Sequence, residues 1–512
     1  KSALARLQPQ LQGRSVGRIL SMYRFPQLAI LLASLLGCAV GPDYQRPEID
    51  APRSWRVDYK EAADVVNTPW WQQFNDPVLN ELIITALENN RDVRIAAARV
   101  EQFVANLKIT RSEFYPGLGY GLTGSRDKTP PSLRPPGTES ISETYQATIN
   151  AGWELDVWGR IRRASEAARS DLLAAEEGRR TVILTLVSSV ATSYVTLRSL
   201  DKQLEIANDT VETRRESVEL FEKQFRGGIV AELTVAQARS EYEQALASVP
   251  VLERQIAQLE NALSVLLGRN PGPIPRGLAL DELEFPAIPA GLPSDLLVRR
   301  PDIRQAEQNL IAANARIGVA RAEYFPRISL TGLAGFVSGN LSELFNSENE
   351  TWGIGAGAVG SIFTGGRVSG GVEQAEAVQR EALQRYLRAL QVAFREVNDA
   401  LIETSKTREE QEAQGRRVQA LASYARLARM RFDNGYSGYI EVLDAQRSLF
   451  NAELNYVQSQ SGVFVGLINT YKAMGGGWVT EAEASANAID YPPAEGSPAT
   501  EETSEIIGVR VQ

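Results

Sequence analysis

The chain has no histidine and a single cysteine, Cys38. That inventory excludes histidine-based general acid/base catalysis, His/Cys metal sites and Ser/His or Cys/His nucleophile pairs. A phosphate-binding loop is lacking as well: Gly475-Gly476-Gly477 is followed by Trp478, where Lys-Ser/Thr would have to stand. The sequence is therefore not read as an enzyme's, and neither a metal nor a soluble cofactor is expected. Aromatic residues make up only 7% and hydrophobic residues 43%, which argues against a bundle of apolar membrane helices. A net charge of −9 without a concentrated Lys/Arg patch argues against nucleic acid as a partner.

At the N-terminus, Arg14, Arg18 and Arg24 precede an apolar run at 28–36 and then Gly37-Cys38. This is the basic region and short apolar region of a secretion signal, and the run is too short to span a bilayer. Cys38 reads either as a buried small hydrophobe or, the reading its position favours, as the acylated first residue left after cleavage at Leu35-Leu36-Gly37-Cys38. A covalent lipid there would anchor the chain firmly, at about 0.8 kcal/mol per buried CH₂. Ala39, not Asp, follows the cysteine, which in lipoproteins points to the outer membrane. If translation starts at Met22, residues 1–21 are an upstream extension and the signal lies within 1–37.

The sequence repeats itself. Arg111-Ser-Glu-Phe-Tyr-Pro116 returns as Arg321-Ala-Glu-Tyr-Phe-Pro326, 210 positions on, and Asp92/Asp302, Arg94/Arg304 and Ala105/Ala315 keep that offset. From Gly159/Gly366 and Arg160/Arg367 through Phe225/Phe432, Gly228/Gly435 and Gly268/Gly475 the offset is 207. One unit of about 200 residues is used twice, with three residues lost between Pro326 and Gly366. The units are expected at 76–268 and 296–475, joined by a linker at 269–295. A lipidated extended segment at 38–75 precedes them, and a tail at 476–512 follows that is mostly disordered and acidic from Glu481 on.

Within each unit a helical run stops at the proline, which cannot continue it, and a period of two begins. Residues 145–153 place Tyr, Ala, Ile, Ala and Trp at odd positions and Gln, Thr, Asn and Gly at even ones. Residues 117–124, 328–336 and 352–360 behave alike, so hairpins are expected at 117–156 and 327–363. A small soluble sheet could carry this alternation, but strands of about 10 residues with one apolar and one polar or glycine face also have the pattern of transmembrane barrel strands. Four strands cannot close a barrel, and an open edge cannot sit in lipid. Two chains sharing one barrel would supply eight strands, three would supply twelve. Phe114, Tyr115, Tyr324 and Phe325 stand where helix gives way to strand and suit the water–lipid boundary.

Long helices follow. Residues 160–226 contain no proline and would reach about 100 Å as helix. Ile183, Val190, Leu197, Leu204, Val211, Val218 and Phe225 recur every seven residues, a coiled-coil seam. A return helix from about 232 to Leu267 supplies its partner, and the second unit does the same over 367–432 and up to Met474. Gly228 and Gly435, at the turns, read as helix C-caps and also as the far tips of the helical hairpins.

These features together resemble the TolC-type outer membrane efflux proteins, in their lipoprotein branch. The residues that carry the likeness are Leu35–Cys38, Gly41-Pro-Asp-Tyr-Gln-Arg-Pro47, Trp70-Trp71 before Phe74, Leu155-Asp-Val-Trp-Gly-Arg160, Arg299-Arg-Pro-Asp-Ile303 and Val442-Leu-Asp-Ala-Gln446. The resemblance implies an α+β membrane protein, mainly long antiparallel coiled-coil helices in an α-barrel. Four transmembrane strands per chain would join a 12-stranded β-barrel shared by a homotrimer. It further implies a bacterial outer-membrane location with a large periplasmic portion, and docking through Gly228 and Gly435 to a periplasmic adaptor and an inner-membrane pump of the RND class. By position, Glu441 and Asp444 carry over as the acids that close the periplasmic tip, the glutamate replacing a more usual aspartate. Their spacing also fits plain helix N-terminal acids. In the first unit Glu232 is followed by Leu233 and Thr234, so no matching pair of acids is expected there. The function implied is the exit duct of a tripartite efflux pump for drugs or other toxic small molecules. A duct for a type I secreted protein and a pore-less, lipid-anchored coiled-coil tether are the alternatives.

Overall fold

The computed structural model describes residues 39–49, 52, 55, 69–134, 137, 139–286 and 296–476. The signal segment, Met22, Cys38 and the tail from 477 lie outside the described residues, as do most of 50–68 and the end of the 269–295 linker.

Local sequence sets the helix starts. Asp76 accepts hydrogen bonds from Val78 N (2.8 Å) and Leu79 N (3.3 Å) with Pro77 at the first position, and α1 runs Pro77–Asn89. Asn90 does the same for Asp92 N and Val93 N, opening α2, Arg91–Ser112. After Pro116 come β1, Gly117–Lys128, and β2, Ile141–Leu155. The Asp156 carboxylate accepts from Ile161 N and Arg162 N at the start of α3, Arg160–Arg226, and α4 returns over Glu232–Leu266. The second half supplies α5, Pro301–Ala322, β3, Arg327–Ser338, β4, Glu350–Val359, α6, Arg367–Asp433, and α7, Tyr439–Ala473.

The duplication is carried into element lengths. α2 and α5 have 22 residues each, β1 and β3 have 12, α3 and α6 have 67, and α4 and α7 have 35. The unequal pair is β2 and β4, with 15 and 10 residues. The expected helix at 232–267 passes through Pro250, which α4 accommodates without breaking.

Two compact units emerge, and they are not the two repeats. One comprises 39–48, 101–174 and 306–386; the other comprises the described residues within 49–100, 175–305 and 387–476. Each draws on both repeats, because β2 of the first pairs with β3 of the second and the helices of the second unit pack on one another.

In the first unit one antiparallel sheet has the order β1-β2-β3-β4. Its register aligns the alternation of all four strands. Tyr120 faces Ile149, Ile149 faces Ala334 and Ala334 faces Trp352; two residues along, Leu118, Ala151, Gly332 and Ile354 line up. One face is thus apolar, while the other carries Gly119 and Gly121, Thr148 and Asn150, Ser329 and Thr331, and Gly355 and Gly357, with Leu333 and Val337 as its apolar members. Among the described residues β1 and β4 are each paired on one side only.

The second unit holds the main core, built around Trp70, Phe74, Ile183, Tyr194, Phe464 and Tyr471, all essentially inaccessible. Trp70 stacks on Tyr471 with ring centroids 5.3 Å apart. α3 is the one helix among the described residues long and apolar enough to cross a membrane, and 56% of that stretch is buried inside the protein. Ile183, Val187, Val190 and Tyr194 make it a core helix. The seven-residue seam is fully buried at Ile183, Val190 and Leu197, after which Ala207 and Phe221 take over and Phe225 is exposed. An α-helix drifts about 20° per heptad from a strict seven-residue repeat, so the buried stripe passes to the neighbouring series.

Candidate functional site

The hairpin tips are built from paired helix ends. Gly228 has φ 72° and Gly435 φ 75°. Gly228 N bonds to Phe225 O and Ile229 N to Gln224 O, both at 2.9 Å; Gly435 N bonds to Phe432 O at 2.9 Å and Tyr436 N to Arg431 O at 2.8 Å. This is one Schellman motif made twice, in a backbone region that favours glycine. A Cβ at either position would meet nothing within 4 Å, so both tips present open backbone.

Behind the tips an aromatic cluster joins the two hairpins. The Phe221 ring lies 4.2 Å from that of Tyr439 and 6.0 Å from that of Phe432, with Val235, Val442 and Leu443 packed around them. Below it the buried Arg214 donates to the Glu241 carbonyl at 2.6 Å, stands 3.2 Å from the Glu241 carboxylate and sits over the Phe450 ring. Burial draws its pKa below the ordinary arginine value.

Glu441 and Asp444 lie in the first turns of α7. Each has a cation at hand. The Glu441 carboxylate stands 3.7 Å from Arg431 Nε, and the Asp444 carboxylate accepts from Arg447 at 3.0 Å. Asp444 and Arg447 are both about half exposed. The repeat images of the two acids, 207 positions back, are Thr234 and Gln237, so the carboxylates belong to one hairpin of the two. Glu232 is exposed at the start of α4. Among the described residues no group of His, Cys, Asp and Glu could hold a metal ion.

In the first unit, Tyr115, Tyr324 and Phe325 are exposed and Phe114 is half-buried at the helix-to-strand junctions. Two tryptophans complete the set. Trp153 Nε1 donates to the Phe114 carbonyl at 3.0 Å, and Trp158 donates to the Pro326 carbonyl at 2.8 Å while stacking on Phe325 at 4.6 Å. Residues 39–49 form a strap beside them. Val40 N bonds to the Trp158 carbonyl, and Asn314 holds the Pro42 carbonyl at 2.9 Å. Arg163 reaches Asp43, and Arg46 grips Glu307 through two nitrogens, with Nε 2.7 Å from Oε1. Tyr44 also donates to Glu307, and its pKa is raised by burial and by that carboxylate.

Sequence reasoning located the tip glycines, the acids and the junction aromatics. It missed the Phe221–Phe432–Tyr439 cluster, Arg214, the arginines facing the acids, and the contacts of the strap. Arg447 was detectable, since i+3 spacing links it to Asp444. The aromatic cluster joins positions that are not repeat images of one another, so no register could reveal it.

The family model for outer membrane efflux proteins matches residues 82–269 and 292–476. The solvent efflux pump outer membrane protein SrpC of Pseudomonas putida is 38% identical over 462 residues, 88% of this chain and 98% of its own. The cation efflux system protein CusC of Escherichia coli is 37% identical over 456 residues, 87% of this chain and 97% of its own. Among solved structures, the open-state MtrE outer membrane channel of Neisseria gonorrhoeae superposes with a TM-score of 0.78 at 33% identity, covering 86% of this chain and 99% of that one. With relatives aligned over almost their whole length and a family match in each repeat, the chain belongs to the outer membrane efflux protein family.

Proposed function

We propose that three copies of the chain form the exit duct of a tripartite efflux pump, sharing a 12-stranded β-barrel in the outer membrane and an α-barrel in the periplasm. The observation that carries this is the sheet: four strands, one continuous apolar face, a second face dominated by Gly, Ser, Thr and Asn although it also carries Leu333 and Val337, and open edges at β1 and β4. Such edges are tolerated in lipid only when another chain pairs with them. The acylated Cys38 anchors each copy to the membrane, the junction aromatics Phe114, Tyr115, Tyr324 and Phe325 sit at the water–lipid boundary, and the Gly228 and Gly435 tips meet a periplasmic adaptor that links the duct to an RND-type inner-membrane pump. Relatives are named for solvent and cation efflux, and the cargo here is of that kind, small toxic molecules supplied by the pump.

Glu441 and Asp444 form the constriction. Threefold symmetry brings six carboxylates around the axis, a ring that favours cations and is blocked by them. In planar bilayers the double change Glu441→Ala, Asp444→Ala is expected to raise conductance and weaken divalent-cation block; unchanged conductance removes the pair from the gate. Cross-linking in cells from residues beside Gly435, read by mass spectrometry, is expected to capture an adaptor. Capture of a protein-export machine instead would reassign the duct.

A further inference from the structure

The two repeats close one joint between their helices with different residues. In the second repeat the buried Arg300, just ahead of α5, donates to the Ala473 carbonyl at the end of α7 at 2.9 Å. Its guanidinium also grips both oxygens of Asp302, Nε at 2.9 Å and Nη2 at 2.6 Å, and reaches Glu396 of α6 at 2.7 Å. The forked pairing is the one a guanidinium and a carboxylate make best. Together these bonds tie the start of α5 to α6 and α7.

Moved back by 210 positions at the helix start and by 207 elsewhere, the four residues become Asn90, Asp92, Ser189 and Leu266. One contact survives, from Asn90 Nδ2 to the Leu266 carbonyl, again at 2.9 Å. The others are gone. Asn90 Oδ1 accepts from the Asp92 and Val93 amides, Ser189 carries no charge, and among the described residues no hydrogen bond or ion pair reaches the Asp92 carboxylate. Where the second repeat holds its guanidinium, the first holds a cavity of about 410 Å³. All four images border it, with Ile95 and Leu186 as its apolar wall.

We propose that this cavity binds a small organic monocation with a guanidinium or amidinium head, which pairs with Asp92 as Arg300 pairs with Asp302 while its body rests on Ile95 and Leu186. The volume lies in the range of small-molecule sites, about 300–1,000 Å³. Ser189 stands in the place of Glu396 and Thr185 in that of Val392. A hydroxyl thus replaces the second carboxylate, and Asp92 alone sets the charge of the guest. Arg99 borders the cavity two turns further along α2, about 10 Å from Asp92; it directs the cationic head toward Asp92 and excludes a second cation. Bound this way, the guest links α2 to α3 as Arg300 links α5 to α6. Every residue named belongs to the second compact unit, so the proposal holds for one chain and does not depend on how many copies assemble.

The test is a fluorine NMR titration of the detergent-purified protein with para-fluorobenzamidine, against the neutral para-fluorobenzamide and against micelles alone. Saturable binding of the amidine is expected, with the benzamide weaker by about tenfold or more, the scale of a lost charge-assisted bond. Asp92→Asn is expected to weaken the amidine by a similar factor and to leave the benzamide unchanged. Asn90→Arg, which brings the second repeat's guanidinium to the first, is expected to block the amidine by filling the site from within. Circular dichroism and native mass are compared with the parent for both variants. Asp92→Asn, an isosteric change of an exposed side chain, decides the matter even where Asn90→Arg loses its helix cap and unfolds. An absence of saturable binding, equal binding of amidine and amide, or parent affinity in Asp92→Asn overturns the proposal. Parent affinity in a folded Asn90→Arg overturns the position of the head, and with it the pairing to Asp92.

Discussion

A Cβ on Gly41 would stand 2.5 Å from the Gly318 Cα, and one on Gly318 would stand 2.6 Å from the Val40 carbonyl oxygen. The two glycines let the N-terminal strap lie directly on α5, where Asn314, Glu307 and Arg163 hold it. At Gly41 the obstructing atoms are all backbone, and at Gly318 the Arg163 side chain could shift but the Val40 carbonyl could not. Gly318→Ala is expected to cost about 1–3 kcal/mol of docking free energy, the usual scale of overpacking. Chymotrypsin cutting after Tyr44 in the detergent-solubilised protein should speed up by tenfold or more, and an unchanged rate would mean that the strap is not held there.

The tip cluster has its own signature. Phe221 is fully buried between Phe432 and Tyr439, and truncating such an aromatic costs about 3–5 kcal/mol. Phe221→Ala should therefore accelerate amide hydrogen exchange around 218–240 and 425–446. Exchange in β1 through β4 should stay at its original rate. Equal acceleration in both regions would show the tip and sheet unfolding as one cooperative unit.

Arg447 faces Asp444 at 3.0 Å with both side chains about half exposed. An exposed pair of this kind contributes about 0–1 kcal/mol, so Arg447→Ala should leave thermal stability nearly unchanged. It should, however, release the Asp444 carboxylate from its nearest cation. Divalent-cation block in planar bilayers is expected at lower concentrations than for the parent channel. Unaltered block would place Asp444 off the ion path.

Much of this protein was legible because its elements are long and periodic. The stretch without proline between Arg160 and Arg226 is the helix α3 itself, and the alternation at 145–153 fell on β2. What could not be read were the contacts between distant segments. The two compact units cut across both repeats because strands pair across the duplication, and nothing in either repeat alone states that β2 meets β3. The shift of three residues was placed correctly between Pro326 and Gly366, but it is composite: 27 positions separate the ends of β1 and β2 (155 − 128) and 21 those of β3 and β4 (359 − 338), while the link to the next helix grows from 5 to 8 (160 − 155 against 367 − 359). The buried arginines and the strap likewise depend on side chains brought together from far apart in the chain. At the candidate site the acids came from the family resemblance around Val442-Leu-Asp-Ala-Gln446, whereas nothing pointed to Arg431 on the preceding helix.

Alkali should unfold the second unit through its buried phenols. Tyr471, stacked under Trp70, has its pKa pushed up to about 12, chiefly by burial. Tyr194 is raised as well, by burial and by its 2.6 Å hydrogen bond to Asp76, which also accepts from Leu278 N. In the unfolded chain both phenols ionise near pH 10. The folded state thus holds protons that the unfolded state releases, and the contribution is fully present below pH 10 and lost as pH rises toward 12 and beyond. Each such group removes about 1.4 kcal/mol per pH unit in that window. Urea titrations between pH 9 and 12 are expected to show stability falling with pH, with a shallower slope for Tyr471→Phe, which retains the stacking surface but has no proton to lose. If the slopes of parent and variant coincide, Tyr471 is not held neutral by the fold and the alkaline loss arises elsewhere.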